Sequence, residues 1–428
     1  MLSPDWLQQK HTFCHITLRD IDIPDFDVDR LISELRRLRI DAATLFAGGY
    51  VSIYPTKLPF QRMCPGLDGR DLYGEIVEAA SDAGITIVPC VDIGEIPMEL
   101  AREQPRLCAV DAEGKPIEKS AVTAKPCSLG PWIRENAGLP LDELIERYDI
   151  QAIKWAGASY NGTPMGCRCP HCKARFERDL GKPLPASDWA ENSEYTTWRA
   201  AVIQEGVDRL KSVCAERNLT VVGNNVWHLG RNKNDICAIA ESVDIAQIEV
   251  QSRFYHWMDD GRSASSWEFF SAPIESTRYV SNVSKNPPWV VASYFLAWPW
   301  RWSGIPAAEQ FCYLAQVVAN GGSPGVNFTT GAPHQHYDQR GMWAIENLFG
   351  LIHDHPEVYQ SDRSAARVAL IYDHASALAD LDSRRQTYMA EVHGIEEALN
   401  RMHIPYDIIR SDRHQDIDTG RHQACIIP

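Results

Sequence analysis

Eight short runs of β-branched and apolar residues recur along most of the chain, and stretches long enough to hold a helix separate many of them. They read "FCHITL" (13–18), "AATLFAG" (42–48), "ITIVPCVD" (85–92), "IQAIKWA" (150–156), "LTVVGNN" (219–225), "VDIAQIEV" (243–250), "PWVVASYF" (288–295) and "PGVNFTT" (324–330). Between them the apolar period lengthens. Leu31, Ile32, Leu35 and Leu38 within 28–40 fall on one helical face, and "DLYGEIVEAASDAG" (71–84) closes on a glycine. The stretches 141–149, 186–218 and 306–322 also read as helical. Eight strands separated by helices predict an α/β fold of the (β/α)8 TIM-barrel type, whose functional face is the C-terminal end of its strands. An open doubly wound sheet is the alternative. It would show a glycine-rich first turn, and "RDIDIPDF" after the first strand has none.

After about residue 360 the pattern restarts. "ARVALIYD" (366–373) reads as a strand, "YMAEVHGIEEALNRMHI" (388–404) as a helix, and "YDIIR" (406–410) and "ACIIP" (424–428) as strands. The expected organisation is therefore a barrel over 1–360 and the start of a flavodoxin-like α/β domain over 361–428. That second domain looks cut short, since its sheet needs more strands to bury itself.

The net charge of −15 is spread without acidic runs, which disfavours nucleic acid and anionic membrane surfaces as partners. No apolar run approaches bilayer length, and the opening residues lack the basic and apolar regions of an export signal. A cytoplasmic location is expected. In that setting the 12 cysteines read as reduced thiols with a metal site rather than as disulfides.

"CRCPHC" places Cys167, Cys169 and Cys172 within six residues on the loop after the fourth strand. Structural zinc takes four tetrahedral ligands, so a fourth must come from elsewhere. Cys127, after the third strand, is the first choice because loops of adjacent strands meet; Cys108 and His171 are the others. Catalytic zinc would favour histidine or carboxylate ligands and an open position.

The run "GCRCPHCKARFERDLGKPLP" (166–185) resembles the segment after the fourth strand in family-42 β-galactosidases and in a related group of glycoside-hydrolase-like proteins with a C-terminal β-galactosidase trimerisation-type domain. The likeness extends over "SIYPTKLPF" (52–60), "RDLYGEIVEAASDAGI" (70–85), "IEVQSR" (248–253) and "AQVVANGG" (315–322), and continues into "ARVALIYD". The resemblance implies a (β/α)8 glycoside hydrolase, a carbohydrate substrate, a homotrimer, and structural Zn2+ on Cys127, Cys167, Cys169 and Cys172.

Glycosidases need two carboxyl groups flanking the scissile bond. Family-42 barrels place an Asn-Glu pair after the fourth strand and a glutamate after the seventh. Here "KWAGASYNG" and "VVASYFLAWPW" carry no acid at those places. A second comparison is with α-L-fucosidase-like barrels, where a "WFDG"-type strand end supplies an aspartate. Here that aspartate would fall on Ala156. The departure leaves three readings: Ala156 as an inactivating replacement, an enzyme whose acids sit elsewhere, or a sugar-binding or regulatory barrel that no longer hydrolyses.

Among the carboxylates left at strand exits, Glu249 on the sixth strand is the first candidate for catalysis and Asp92 on the third the second, while Asp20 and Asp22 after the first strand suit loop capping or sugar hydroxyls. Each has a plainer role available, Glu249 as an ion-pair partner of Arg253 and Asp92 as a helix cap. His15, Asn224, Asn225, His228 and Asn327 sit at expected C-terminal strand ends and suit sugar hydroxyls. Tyr54 either contacts ligand or stiffens its loop. Of the 13 tryptophans, Trp257, Trp267, Trp298, Trp300 and Trp302 follow the sixth and seventh strands. Trp298 is nearest a strand end and is the candidate aromatic wall for the pocket.

Overall fold

In a computed structural model of the chain, the residues described are 1–156, 167–186, 192–226, 235–250, 271–295, 303–328, 331–361, 364–383 and 387–428. Eight parallel strands close into a barrel, matching the expected fold. They are β1 (Phe13–Ile16), β2 (Ala42–Gly48), β3 (Thr86–Asp92), β4 (Ala152–Ala156), β5 (Thr220–Val226), β6 (Ile245–Val250), β7 (Trp289–Ser293) and β8 (Ser323–Phe328). Around the ring they stand in chain order, β1 beside both β8 and β2. The helices named below are α1 (Val28–Arg37), α2 (Leu72–Asp82), α3 (Gly138–Tyr148), α4 (Pro170–Leu180), α5 (Ser193–Ala215), α6 (Ile236–Ser242), α7 (Ala272–Ser281), α8 (Ala307–Ala319), α9 (Met342–Asp354), α10 (His374–Ser383) and α11 (Thr387–Arg401).

Local chemistry sets the element ends. α1 buries Leu31, Ile32 and Leu35 and is followed by Arg39 in a left-handed conformation (φ 51°). The Asp71 carboxylate caps α2 by accepting the Gly74 N–H at 2.9 Å. Gly84, at φ 72°, turns the chain into β3. Beyond β3 the chain adds a small three-stranded antiparallel sheet (Ile96–Pro97, Glu118–Ser120, Thr123–Ala124) that the sequence did not announce.

The chain forms two compact units. One comprises Met1–Leu2, Leu18–Val28 and Thr44–Asn224; the other comprises Ser3–Thr17, Asp29–Ala43 and Asn225–Pro428. The second unit also contains a separate parallel sheet of β9 (Val368–Tyr372), β10 (Tyr406–Arg410) and β11 (Ala424–Ile426), ordered β10-β9-β11. This 2-1-3 order is the one that opens flavodoxin-like folds. Within that unit Arg410 reaches from the end of β10 to Asp235 at the start of α6, with Nη1 at 2.7 and 2.9 Å from the two carboxylate oxygens. Asp235 also accepts the Ala238 N–H at 3.1 Å, so one carboxylate serves as both helix cap and ion-pair partner.

Candidate functional site

Which alternate residues of each strand face into the barrel follows from packing and register. In the second unit, the rings of Phe13 on β1 and Trp289 on β7 stack with centroids 4.4 Å apart, although β8 lies between those strands. Side chains two strands apart converge only on the concave face, so both rings point inward. β8 makes room with Gly325, where an added Cβ would stand 2.2 Å from the Phe13 ring. Paired residues of parallel strands share a face, and faces alternate along a strand. Phe13 pairs with Gly325, His15 with Asn327, and Ser293 with Asn327. Gln247 pairs with Trp289 and Glu249 with Val291. His15, Gln247, Glu249, Ser293 and Asn327 therefore all face inward.

Glu249 is partly exposed although it points into the barrel, whereas Gln247 beneath it is fully buried. An inward carboxylate that still meets solvent lies at an opening. His15 and Asn327 are buried, with His15 Nε2 at 3.3 Å from the Thr17 hydroxyl. The Ser293 hydroxyl and both ends of the Gln247 amide are buried without a hydrogen-bond partner among the described residues.

In the first unit the Trp155 indole N–H donates to the Cys214 sulfur on α5, at 3.2 Å, which turns Trp155 outward. Its neighbours Lys154 and Ala156 then face inward, as do their register partners Cys90 and Asp92 on β3. Asp92 accepts the Gly94 N–H at 2.7 Å and lies 3.3 Å from the Lys119 ammonium, which also pairs with Glu95 at 2.8 Å. Its carboxylate is 19% exposed. Burial pushes the Asp92 carboxyl above the ordinary aspartate range, and Lys119 opposes the shift without cancelling it. Gly49, just past β2 at φ 136°, has no room for a side chain, since a Cβ would stand 2.3 Å from the Asp92 carbonyl oxygen.

Tyr54 is fully buried, donating its hydroxyl to Glu143 on α3 at 3.0 Å and accepting from Gln61 at 3.2 Å. Of the two roles open to it, these bonds fit the stiffening of its loop. Asn224 and Asn225 lie on β5, where the backbone alone is described. His228, Trp257, Trp267, Trp298, Trp300 and Trp302 fall outside the described residues. Sequence reasoning missed Lys154, Gln247 and Ser293. The signal that would have found them is their even spacing from Ala156, Glu249 and the end of β7.

Away from the barrel interior, Cys127, Cys167, Cys169 and Cys172 are all buried, with their sulfurs within 4.8 Å of one another. Cys127 Sγ lies 3.4 Å from Cys172 Sγ and 3.6 Å from Cys169 Sγ. Four sulfurs about 2.3 Å from a tetrahedral metal would stand roughly 3.8 Å apart, so the set can hold a metal ion. The sequence placed the three clustered cysteines on a loop; the structure puts Cys169 at the N-cap of α4 and Cys172 in its first turn. Pro170 fits the first helical position because its missing N–H would have no helical partner there. The Cys172 N–H donates to Cys169 Sγ at 3.4 Å. Phe176, Tyr195 and Trp198 wall the cluster. Hydrogen bonding to Cys127 is the leading cause that pushes the Cys167 and Cys172 thiols up. Cys108 and His171 stand outside the set.

Residues 27–153 match the family described as hypothetical glycosyl hydrolase 6. No curated protein matches the sequence. Among solved structures, the fold resembles the β-galactosidase from Rahnella sp. R3 (TM-score 0.73, 15% identity, 98% of this chain and 67% of that one). It also resembles a catalytic mutant of Gan42B, a GH42 β-galactosidase from G. stearothermophilus (TM-score 0.71, 13% identity, 99% and 69%). A third similar structure is α-L-fucosidase isoenzyme 2 from Paenibacillus thiaminolyticus (TM-score 0.69, 16% identity), of which the chain spans 60% while 98% of its own length is covered. The chain thus shares its barrel fold with glycosidases of known structure, and its residues 27–153 carry the glycosyl-hydrolase-like match.

Proposed function

We propose that the protein is a glycoside hydrolase acting on a small glycoside or oligosaccharide at the C-terminal face of its barrel. The observation that carries this reading is Glu249, an inward-facing yet solvent-touched carboxylate near the end of β6, on the same inner face as His15, Ser293 and Asn327. Glu249 is the group that attacks the anomeric carbon or activates water. Asp92, whose burial favours its protonated form, is the acid that protonates the leaving oxygen. His15, Ser293 and Asn327 bond sugar hydroxyls, with Asn224, Asn225, His228 and Trp298 completing the pocket. The family match and the glycosidase structures support the carbohydrate substrate.

The thiol cluster holds structural zinc that fixes the chain after β4. The protein works in the cytoplasm as a homotrimer, with residues 361–428 as the trimerisation-type portion. Among the described residues, no helix is long and apolar enough to cross a membrane.

A second reading, a sugar-binding or regulatory barrel without turnover, draws on Ala156. It faces inward at the end of β4, where an acid would be expected, and its register partner is Asp92. A panel of nitrophenyl glycosides separates the two. Turnover by the unaltered chain is expected. Sugar-induced thermal stabilisation without turnover, or activity that appears only in Ala156→Asp, would select the second reading.

A further inference from the structure

Outside the barrel interior, the second unit gathers a set of metal-ligating groups distinct from the thiol cluster. Glu275 on α7 and Glu396 on α11 are 4% and 3% exposed, an unusual position for carboxylates, which are costly to bury without a compensating charge. His393 lies one turn before Glu396 on the same face of α11. Its Nε2 is 3.2 Å from Glu275 Oε1, and one ligand atom from each of the three residues lies within 4.8 Å of the others. Around an ion bound at about 2.1 Å, ligand atoms stand roughly 3–4 Å apart, so the three need little movement to converge.

The surroundings fit a ligand shell. Tyr406 on β10 donates its hydroxyl to Glu396 Oε1 at 3.1 Å, orienting the carboxylate from behind. Glu396 is held through that one oxygen among the described residues, which leaves Oε2 to bind. Arg278 supplies a positive charge that acts on Glu396, with its guanidinium 3.9 Å above the Tyr406 ring. The His393 side chain is 43% exposed, which opens a path for an ion and room for coordinating water.

We propose that Glu275, His393 and Glu396 form a divalent-cation site, separate from the thiol cluster, that joins α7 to α11. Two carboxylates and one imidazole suit a first-row ion such as Mn2+, Fe2+ or Zn2+ and offer nothing that a soft thiophilic ion would prefer. The site ties the C-terminal sheet and its helix to the barrel helix α7.

Mn2+ is the probe, because oxygen-rich sites take it and thiolate sites disfavour it. The full chain, brought to one zinc per chain and freed of excess zinc so that only the thiol cluster is loaded, is titrated with Mn2+, and the free ion is read by electron paramagnetic resonance. Binding of one Mn2+ per chain is expected, weakened at least tenfold in Glu396→Gln and in His393→Gln and unchanged in the surface control Glu357→Gln. His393→Gln alters a half-exposed side chain and serves if Glu396→Gln does not fold. No binding at millimolar Mn2+, or equal binding by the folded variants, would overturn the site.

Discussion

A methyl group at position 325 would meet the Phe13 ring at 2.2 Å, and the Trp289 indole is stacked on that same ring. Neither indole nor phenyl can retreat far inside a closed barrel. Gly325→Ala is therefore expected to destabilise by about 1–3 kcal/mol, the usual cost of overpacking, and to lower the thermal midpoint. An unchanged midpoint would show that the ring has room to move and would weaken the assignment of inward faces built on it. Glu249 was legible in the sequence because a charge at the end of an apolar run needs an exit. Lys154, Gln247 and Ser293 were not. A polar alternate in a strand looks the same whether it meets solvent outside or the barrel interior, until register says which. Tyr54 was ambiguous for a related reason: its partner Glu143 is 89 residues away.

Elements with a clear period were readable, and those without one were not. β2 was expected over 42–48 and occupies Ala42–Gly48, an apolar run ended by Gly48 and Gly49. α4 escaped notice because its buried stripe is only Cys172 and Phe176, too narrow to register as amphipathic. The antiparallel sheet after β3 has strands of two and three residues, too short to show alternation. Those missed elements are the ones that assemble the thiols: Cys127 follows the small sheet, and Cys169 and Cys172 begin α4. With zinc as their ligand, the purified chain should carry one tightly held zinc by atomic absorption. Cys127→Ser should lose it together with several degrees of thermal stability, since structural zinc contributes folding energy directly. Full zinc content in Cys127→Ser would remove that residue from the ligand set.

At the scale of the whole molecule, the strand order around the barrel is the strand order in the chain. This is why an alternation read from sequence could be turned into a fold. The three strands β9, β10 and β11 were read from the same kind of alternation, and their 2-1-3 order comes from the structure. Its attachments through Arg410–Asp235 and through the α7–α11 cluster could not be, because ion pairs 175 residues apart leave no local trace. The chemistry was less legible than the scaffold, since the fourth strand ends on Ala156, where the sequence resemblance implies an acid, and the remaining carboxylates had to be sorted by direction. That sorting rests most heavily on Glu249. The decisive measurement is kcat/KM of Glu249→Gln against the unaltered chain on its best nitrophenyl glycoside, with thermal midpoints taken in parallel. A fall of about 10²–10⁴-fold at an unchanged midpoint is predicted; turnover that survives the substitution would contradict the account.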